Sequence, residues 1–127
     1  MLKILIAEDD RELRQLFSHV LNRHGYTVVG VSNGQEALDA MDKDFYDLII
    51  SDIMMPVMDG YQALMGIRNL EKERNIPKEK EAKVIMTTAL NDEKNVKMAF
   101  ELGCTIYSGK PIDQERFDQA LRKLGLI

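Results

Sequence analysis

Several features are scarce in this sequence of 127 residues, and each scarcity argues against a class of protein. The chain has one cysteine, Cys104, which excludes an internal disulfide and a zinc–thiolate cluster. No apolar run approaches the roughly 18–20 residues that a membrane-spanning helix needs. Basic residues number 17 against 21 acidic ones, and the net charge of −4 argues against generic binding to nucleic acid. No glycine-rich phosphate loop follows the first apolar run, which disfavours a nucleotide-binding protein of the flavodoxin-like kind.

The composition that remains is typical of a packed globular domain. Hydrophobic residues make up 45% of the chain and charged residues 30%. The length is that of one domain, for which roughly 100–200 residues are usual. We therefore expect a single domain over residues 1–127, located in the cytoplasm. We also expect a stand-alone protein, because the chain begins with Met and stops just after its last predicted helix.

Short apolar runs alternate with segments of helical period five times along the chain. The predicted strands cover residues 2–7, 27–31, 48–50, 84–88 and 105–107. Strands that are continuously apolar are buried on both faces, and helices between them imply right-handed crossovers in a parallel sheet. The pattern therefore predicts a doubly wound α/β domain of five strands and five helices.

Several other residues have a structural interpretation. The segment 71–83 holds four acidic and five basic residues around Pro77, and we interpret it as a solvated helix end followed by a loop. We expect His19 and His24 to lie on the surface, and Cys104 to be a small buried residue. Four methionines fall in the apolar pattern of helices or strands, and we expect most of them to pack in the core: Met41, Met65, Met86 and Met98.

Polar side chains follow four of the five predicted strands. Glu8 and Asp9 follow the first strand and Asp52 the third, while the fourth ends at Thr88 and Lys110 follows the fifth. Because ligands of open α/β sheets bind beyond the carboxyl ends of the strands, we expect these side chains to form one site.

The residue types at this edge indicate phosphoryl transfer. Three carboxylates held together repel one another, and a hard cation such as Mg²⁺ neutralises them. A carboxylate can also accept a phosphoryl group as an aspartyl phosphate, and Asp52 is the expected nucleophile because its strand is central. The metal, Lys110 and Thr88 would each bind one phosphoryl oxygen. The structural alternative is that acidic residues here only cap helices, a role we expect for Asp10 and Asp59.

With these residues, the chain closely resembles the receiver domains of bacterial response regulators, the CheY-like phosphoacceptor family. The resemblance covers essentially the whole sequence and is most specific over residues 52–60, which include Pro56 and Gly60. Thr88 with the following Ala, and Lys110 with the following Pro, match two further motifs. The resemblance implies a flavodoxin-like (βα)5 sandwich with parallel strand order 2-1-3-4-5.

The resemblance also implies a role for each acidic residue. Asp52 would accept a phosphoryl group from a histidine kinase or a histidine phosphotransfer protein, so that the chain is a signalling phosphoacceptor rather than an enzyme. Mg²⁺, or Mn²⁺ in its place, would be bound by Glu8, Asp9, Asp52 and the backbone carbonyl of Met54. No other cofactor is implied.

The remaining implied roles concern the phosphoryl group and the switch. Thr88 and Lys110 would bind the phosphoryl oxygens, and the bond before Pro111 would be cis. Tyr107 would turn inward when Thr88 moves. The surface formed by the fourth helix, fifth strand and fifth helix would bind an unknown downstream protein. No nucleic acid or membrane is expected as a partner.

The chain departs from the family pattern at three places. Met54 and Leu90 occupy the two variable positions that, in this family, tune the rate of dephosphorylation. Both are apolar here, which predicts a long-lived phosphoaspartate. Thr105 and Ile106 replace an acidic pair that many transcription-factor receivers use in dimers, so we expect a monomer or a weak dimer that depends on phosphorylation. The connection between the third helix and the fourth strand is longer than usual.

Two alternative functions stay open. One is a receiver-like interaction module that works without phosphorylation, although intact acidic residues at the site disfavour it. The other is a Mg²⁺-dependent phosphatase of the haloacid-dehalogenase type with an aspartyl nucleophile. That class needs a second acid two residues after the nucleophile, where this chain has Met54.

Overall fold

The chain folds into one sheet with helices between the strands. The computed structural model describes residues 2–53, 55, 57–88, 93–109 and 114–125. The strands are β1 (Lys3–Ala7), β2 (Thr27–Val31), β3 (Leu48–Asp52), β4 (Lys83–Thr88) and β5 (Ile106–Gly109). The helices are α1 (Arg11–Arg23), α2 (Gly34–Lys43), α3 (Gly60–Glu73), α4 (Glu93–Glu101) and α5 (Gln114–Lys123), and a short 3₁₀ helix spans Lys78–Lys80. None of the described helices is long and apolar enough to cross a bilayer.

All strand pairs are parallel, and the order across the sheet is β2-β1-β3-β4-β5. The predicted fold class and strand order are therefore confirmed. In this order β1 and β3 are neighbours, although they are separated in sequence by α1, β2 and α2. The residues that follow β1 therefore lie beside the residues that end β3.

Side chains on the two faces of the sheet form two separate apolar clusters. In β1, Ile4 and Ile6 join the cluster that contains residues of α1 and α5, whereas Leu5 joins the cluster that contains residues of α2, α3 and α4. All three are at most 1% exposed. The central strands are thus buried on both faces, as their continuous apolar runs predict.

Two helices begin with the caps that the sequence predicts. The Asp10 side chain accepts hydrogen bonds from the backbone N–H of Glu12 and Leu13, at 3.0 and 3.2 Å. Asp59 accepts from the N–H of Gln62 at 2.9 Å, and the Gln62 side chain accepts from the Asp59 N–H at 3.1 Å. Both bonds of this capping box satisfy donors that the start of a helix leaves unpaired.

The expectation of a solvated segment over 71–83 is wrong for Glu71 and for Ala82, both of which are buried. Glu71 is 3% exposed, and its carboxylate accepts hydrogen bonds from Arg68 at 2.6 Å and from the Ala82 N–H at 2.7 Å. Arg68 also donates to the carbonyl oxygens of Ala82 and Gly103, at 3.0 and 2.7 Å. The partly buried ion pair therefore joins the end of α3 to the start of β4 and to the turn before β5.

The methionine expectations are only half correct. Met41 and Met86 are buried, but Met65 and Met98 are 50% and 38% exposed. Met65 follows the buried Leu64 directly, and one residue turns a helix by about 100°, which carries the side chain past the packed face. The expectations for three other residues are confirmed, namely the exposed His19 and His24 and the buried Cys104.

Candidate functional site

Three carboxylates meet at the carboxyl edge of the sheet. Because Ala7 pairs with Ser51, Glu8 and Asp9 after β1 lie next to Asp52 at the end of β3. One carboxylate oxygen from each of the three residues lies within 4.8 Å of the others. Glu8 and Asp52 are 2% and 4% exposed, while Asp9 is open to solvent. An all-oxygen donor set this compact fits a hard divalent cation, which takes carboxylates and completes its shell with water or phosphate.

Hydrogen bonds fix the main chain at the acidic pair. The Glu8 N–H donates to the Val31 carbonyl at 3.0 Å, which ties the end of β1 to the edge strand β2. The Glu8 carboxylate accepts from the Asp10 N–H at 3.1 Å, and the Glu8 carbonyl accepts from the Arg14 guanidinium at 2.7 Å. Sequence reasoning missed Arg14. The available signal was a basic residue one turn into the helix that follows the pair.

Two glycines hold the loop between β3 and α3 against the rest of the site. The Gly60 N–H donates to the Ile53 carbonyl at 2.8 Å, and a Cβ at Gly60 would lie 2.3 Å from the Asp52 carbonyl oxygen. The Gly34 N–H donates to the Met58 carbonyl at 3.1 Å, and a Cβ there would lie 2.6 Å from the same oxygen. Gly60 was expected in this loop and Gly34 was not. Both positions exclude a side chain because backbone atoms come too close.

The fourth and fifth strands bring further predicted residues to the same edge. Asp52 pairs with Thr87, so the backbone of Thr88 continues toward the site, and Thr88 pairs with Gly109. Tyr107 pairs with Met86 and is half-buried. The side chain of Thr88 lies outside the described part of the chain. So do five other residues that the sequence analysis singled out: Met54, Pro56, Leu90, Lys110 and Pro111.

Comparison with known proteins identifies the family. The model of the response regulator receiver domain matches residues 4–122. The chain belongs to the response regulator receiver family. Receiver domains of this family are parts of two-component signalling systems, so the family expectation is confirmed.

The receiver is similar to proteins of known sequence and structure. It is 33% identical over 124 residues to the transcriptional regulatory protein CpxR of Escherichia coli K12, covering 98% of this chain and 49% of CpxR. The chain spans about half the length of the curated relatives it matches.

Two solved receivers have the same fold. The receiver domain of Ssk1 from Saccharomyces cerevisiae was crystallised with the phosphotransfer protein Ypd1. It gives a TM-score of 0.89 at 25% identity, covering 98% of this chain and 88% of that one. The receiver of the sensor histidine kinase PA1611 from Pseudomonas aeruginosa has a magnesium ion coordinated in its active-site cleft. Its TM-score is 0.80 at 28% identity, with 96% and 95% coverage.

Proposed function

We propose that this receiver is a phosphoacceptor switch in which Asp52 takes a phosphoryl group from a histidine kinase or a histidine phosphotransfer protein. The observation that carries the proposal is the acidic cluster, in which oxygens of Glu8, Asp9 and Asp52 lie within 4.8 Å of one another. The complex of the Ssk1 receiver with Ypd1 supports a donor of this type. The signalling role, and not turnover of an external substrate, is the function we propose.

The proposed step is an in-line transfer between two side chains. A carboxylate oxygen of Asp52 forms a bond to phosphorus as the N–P bond of the donor phosphohistidine breaks. The electron pair of that bond leaves with the imidazole nitrogen, which takes up a proton. Such transfers depend on positioning and charge stabilisation more than on covalent chemistry by the protein. Buried Asp52 is suited to this role because it pairs with Thr87 of β4 and directly follows Ser51, which pairs with Ala7 of β1.

The other site residues would hold charge around the transferred group. Glu8, Asp9, Asp52 and the Met54 carbonyl would bind Mg²⁺ or Mn²⁺. When bound, this ion neutralises the carboxylates and binds a phosphoryl oxygen. The magnesium in the PA1611 receiver supports this assignment.

Residues at the ends of β4 and β5 would bind the phosphoryl oxygens and carry the conformational response. Thr88 and Lys110 would each bind one phosphoryl oxygen, with the lysine placed by a cis bond before Pro111. Phosphorylation would shift the population between two existing conformations, and Tyr107 would follow Thr88 inward. The surface of α4, β5 and α5 would then bind the downstream protein. The receiver itself would be a monomer or would form a weak dimer that depends on phosphorylation.

Intact mass measurement tests the phosphoacceptor directly. The receiver is incubated with a small acyl phosphate, with and without Mg²⁺, beside an Asp52→Asn variant. We expect one phosphoryl adduct that requires both the cation and Asp52. Asp59→Asn is a matched control, because it also removes a carboxylate near the loop but asparagine still caps α3. If a folded wild-type protein binds Mg²⁺ and forms no adduct, the phosphorylation-independent interaction module replaces this proposal.

The same adduct tests the lifetime of the phosphoaspartate. Met54 and Leu90 carry no acid or amide that could orient an attacking water, so we expect slow hydrolysis. The measurement is the fraction of phosphorylated mass after the donor is removed. Complete loss of the adduct within seconds would contradict a long-lived state.

A further inference from the structure

The main chain of the acidic pair is held by a guanidinium from the first turn of α1. Arg14 donates to the Glu8 carbonyl oxygen at 2.7 Å. That oxygen belongs to the peptide that joins Glu8 to Asp9, so the bond fixes the plane of this peptide. The position of the Asp9 Cα atom follows from that plane. Arg14 thereby influences where both carboxylates of the pair lie.

Two other hydrogen bonds of Glu8 act on different atoms of the residue. The Glu8 N–H is bonded to Val31 and the Glu8 carboxylate to the Asp10 N–H, and neither of these bonds involves the Glu8 carbonyl oxygen. The Arg14 bond acts directly on the carbonyl between the two acids. A hydrogen bond from a charged donor is about twice as strong as a neutral one.

Gly30 of the edge strand provides the space that Arg14 uses. A Cβ at Gly30 would lie 3.2 Å from both Cγ and Cδ of Arg14, tighter than ordinary contact. Gly30 is not among the glycines with positive φ, so its backbone conformation does not require glycine. Its neighbours Val29 and Val31 are β-branched, as is usual in a strand. The Arg14 stem therefore lies against the space that a side chain at residue 30 would occupy.

The charge of Arg14 is not used in a close ion pair within the part of the chain that is described. None of the ion pairs found there includes Arg14. Its electrostatic effect on Glu36 is secondary, because hydrogen bonds from Ser32 are the main cause of the lowered pKa of that carboxyl. The direct polar contact of the guanidinium is thus the Glu8 carbonyl.

We propose that Arg14 is a positioning residue for the divalent-cation site, which fixes the Glu8–Asp9 peptide so that the carboxylates keep the spacing that a cation needs. Gly30 takes part by leaving room for the arginine stem. This inference rests on the proposed function, since it assumes that Glu8, Asp9 and Asp52 bind Mg²⁺. It assigns to Arg14 no contact with the ion or with the phosphoryl group.

The test is Mg²⁺ affinity, measured by calorimetric titration of the unphosphorylated protein. Arg14→Met keeps most of the apolar stem and removes the donor. We expect its Kd for Mg²⁺ to rise about tenfold, since loss of a residue that orients metal ligands usually costs 10–100-fold in affinity. Gly30→Ala, which keeps every polar group and displaces the stem, should raise the Kd in the same direction by a smaller factor.

Arg74→Met is the matched control. Arg74 also donates to backbone carbonyls, of Met41 and Asp42 at 2.9 and 2.8 Å, but these lie at the end of α2. We expect this variant to lower the melting temperature without Mg²⁺ and to leave the Kd for Mg²⁺ unchanged. Arg14→Met should instead change the Kd.

The outcomes separate the two proposals. If the wild type binds Mg²⁺ and Arg14→Met binds it equally well, Arg14 is only structural and this inference is overturned. If the wild type binds no Mg²⁺, the cation site of the proposed function itself is overturned. If Arg14→Met does not fold, Gly30→Ala decides, because an unchanged Kd in that variant contradicts the role of the arginine stem.

Discussion

At the scale of single residues, Val57 has an unfavourable backbone conformation. Its φ is +70°, in the left-handed region, and its side chain is 83% exposed. A residue with a Cβ is destabilised by about 1–2 kcal/mol in that region, and asparagine is destabilised less than most. We expect Val57→Asn to raise the free energy of unfolding by about 1 kcal/mol, measured by urea denaturation.

Val57→Ala is the control for this prediction. It removes the same exposed apolar surface and the branched Cβ but keeps a residue without the local hydrogen bonding that lets asparagine adopt positive φ. The asparagine variant should therefore be the more stable of the two. Equal stabilities would show that the conformation of residue 57 is not strained.

A second prediction concerns Gly60, at the start of α3. A Cβ added at this position would lie 2.3 Å from the Asp52 carbonyl oxygen, and that backbone atom cannot move away as a flexible side chain can. We expect Gly60→Ala to lower the free energy of unfolding by about 1–3 kcal/mol, as overpacking usually does. The free energy of unfolding is again measured by urea denaturation. The yield of phosphoryl adduct is measured separately on the folded variant.

Gly66 in the same helix is the control. A Cβ there would meet the ends of the Leu38 side chain, at 2.7 Å from one methyl group, and those atoms can rotate away. Alanine also gains roughly 1 kcal/mol over glycine inside a helix. Gly66→Ala should therefore cost much less than Gly60→Ala, and an equal loss would contradict a specific clash with the main chain of Asp52.

At the scale of secondary-structure elements, local signals were predictable and distant contacts were not. Asp10 and Asp59 could be identified as caps because their partners lie two or three residues away. The burial of Glu71 could not be predicted, since its backbone partner Ala82 lies 11 residues further on, beyond a loop. The contact of Arg14 with Glu8 was missed for a similar reason, because it depends on how α1 packs beside β1 and β2.

The ion pair between Arg68 and the buried Glu71 of α3 gives a prediction at this scale. Glu71 accepts from Arg68 with one carboxylate oxygen and from the Ala82 N–H with the other, whereas glutamine has one acceptor oxygen and no charge to offer the guanidinium. We expect Glu71→Gln to lower the free energy of unfolding by about 2 kcal/mol, because hydrogen bonds to charged groups contribute about 1.5–3 kcal/mol. The exposed Glu73 in the same helix is the control, and Glu73→Gln should stay within about 0.5 kcal/mol of wild type. Equal effects of the two substitutions would contradict the role of the network.

At the scale of the whole molecule, the position of the site follows from topology. Once β1, β3 and β4 are parallel neighbours, the residues after them must share one edge, so Glu8, Asp9 and Asp52 could be grouped from sequence alone. What the sequence could not supply is the packing that holds the site, such as the close approach of Gly34 to the Met58 carbonyl. That approach joins the start of α2 to the loop before α3, which are separated along the chain by α2 and β3, and it depends on the complete fold.

The stability of the whole molecule should depend on pH through one buried thiol. Burial raises the pKa of Cys104 from 9.0 to about 11, against the opposing charge of Arg68. Above about pH 9 the thiol ionises in the unfolded chain and stays protonated in the folded one, so this group lowers stability as the pH rises toward 11. Below that range it has no effect. We therefore expect Cys104→Ala to lose less stability than wild type between neutral pH and about pH 10, by about 1 kcal/mol.

The comparison of the two proteins isolates the thiol from other groups that ionise in the same range. Burial also raises the pKa of Tyr46, but that residue is present in both proteins and its contribution cancels. Any cavity left by the substitution changes stability equally at each pH, so the relevant quantity is the slope of unfolding free energy against pH. The measurement is urea denaturation at several pH values. Parallel slopes for wild type and Cys104→Ala would mean that the thiol ionises equally easily in the folded and unfolded chains, contrary to its burial beside β5.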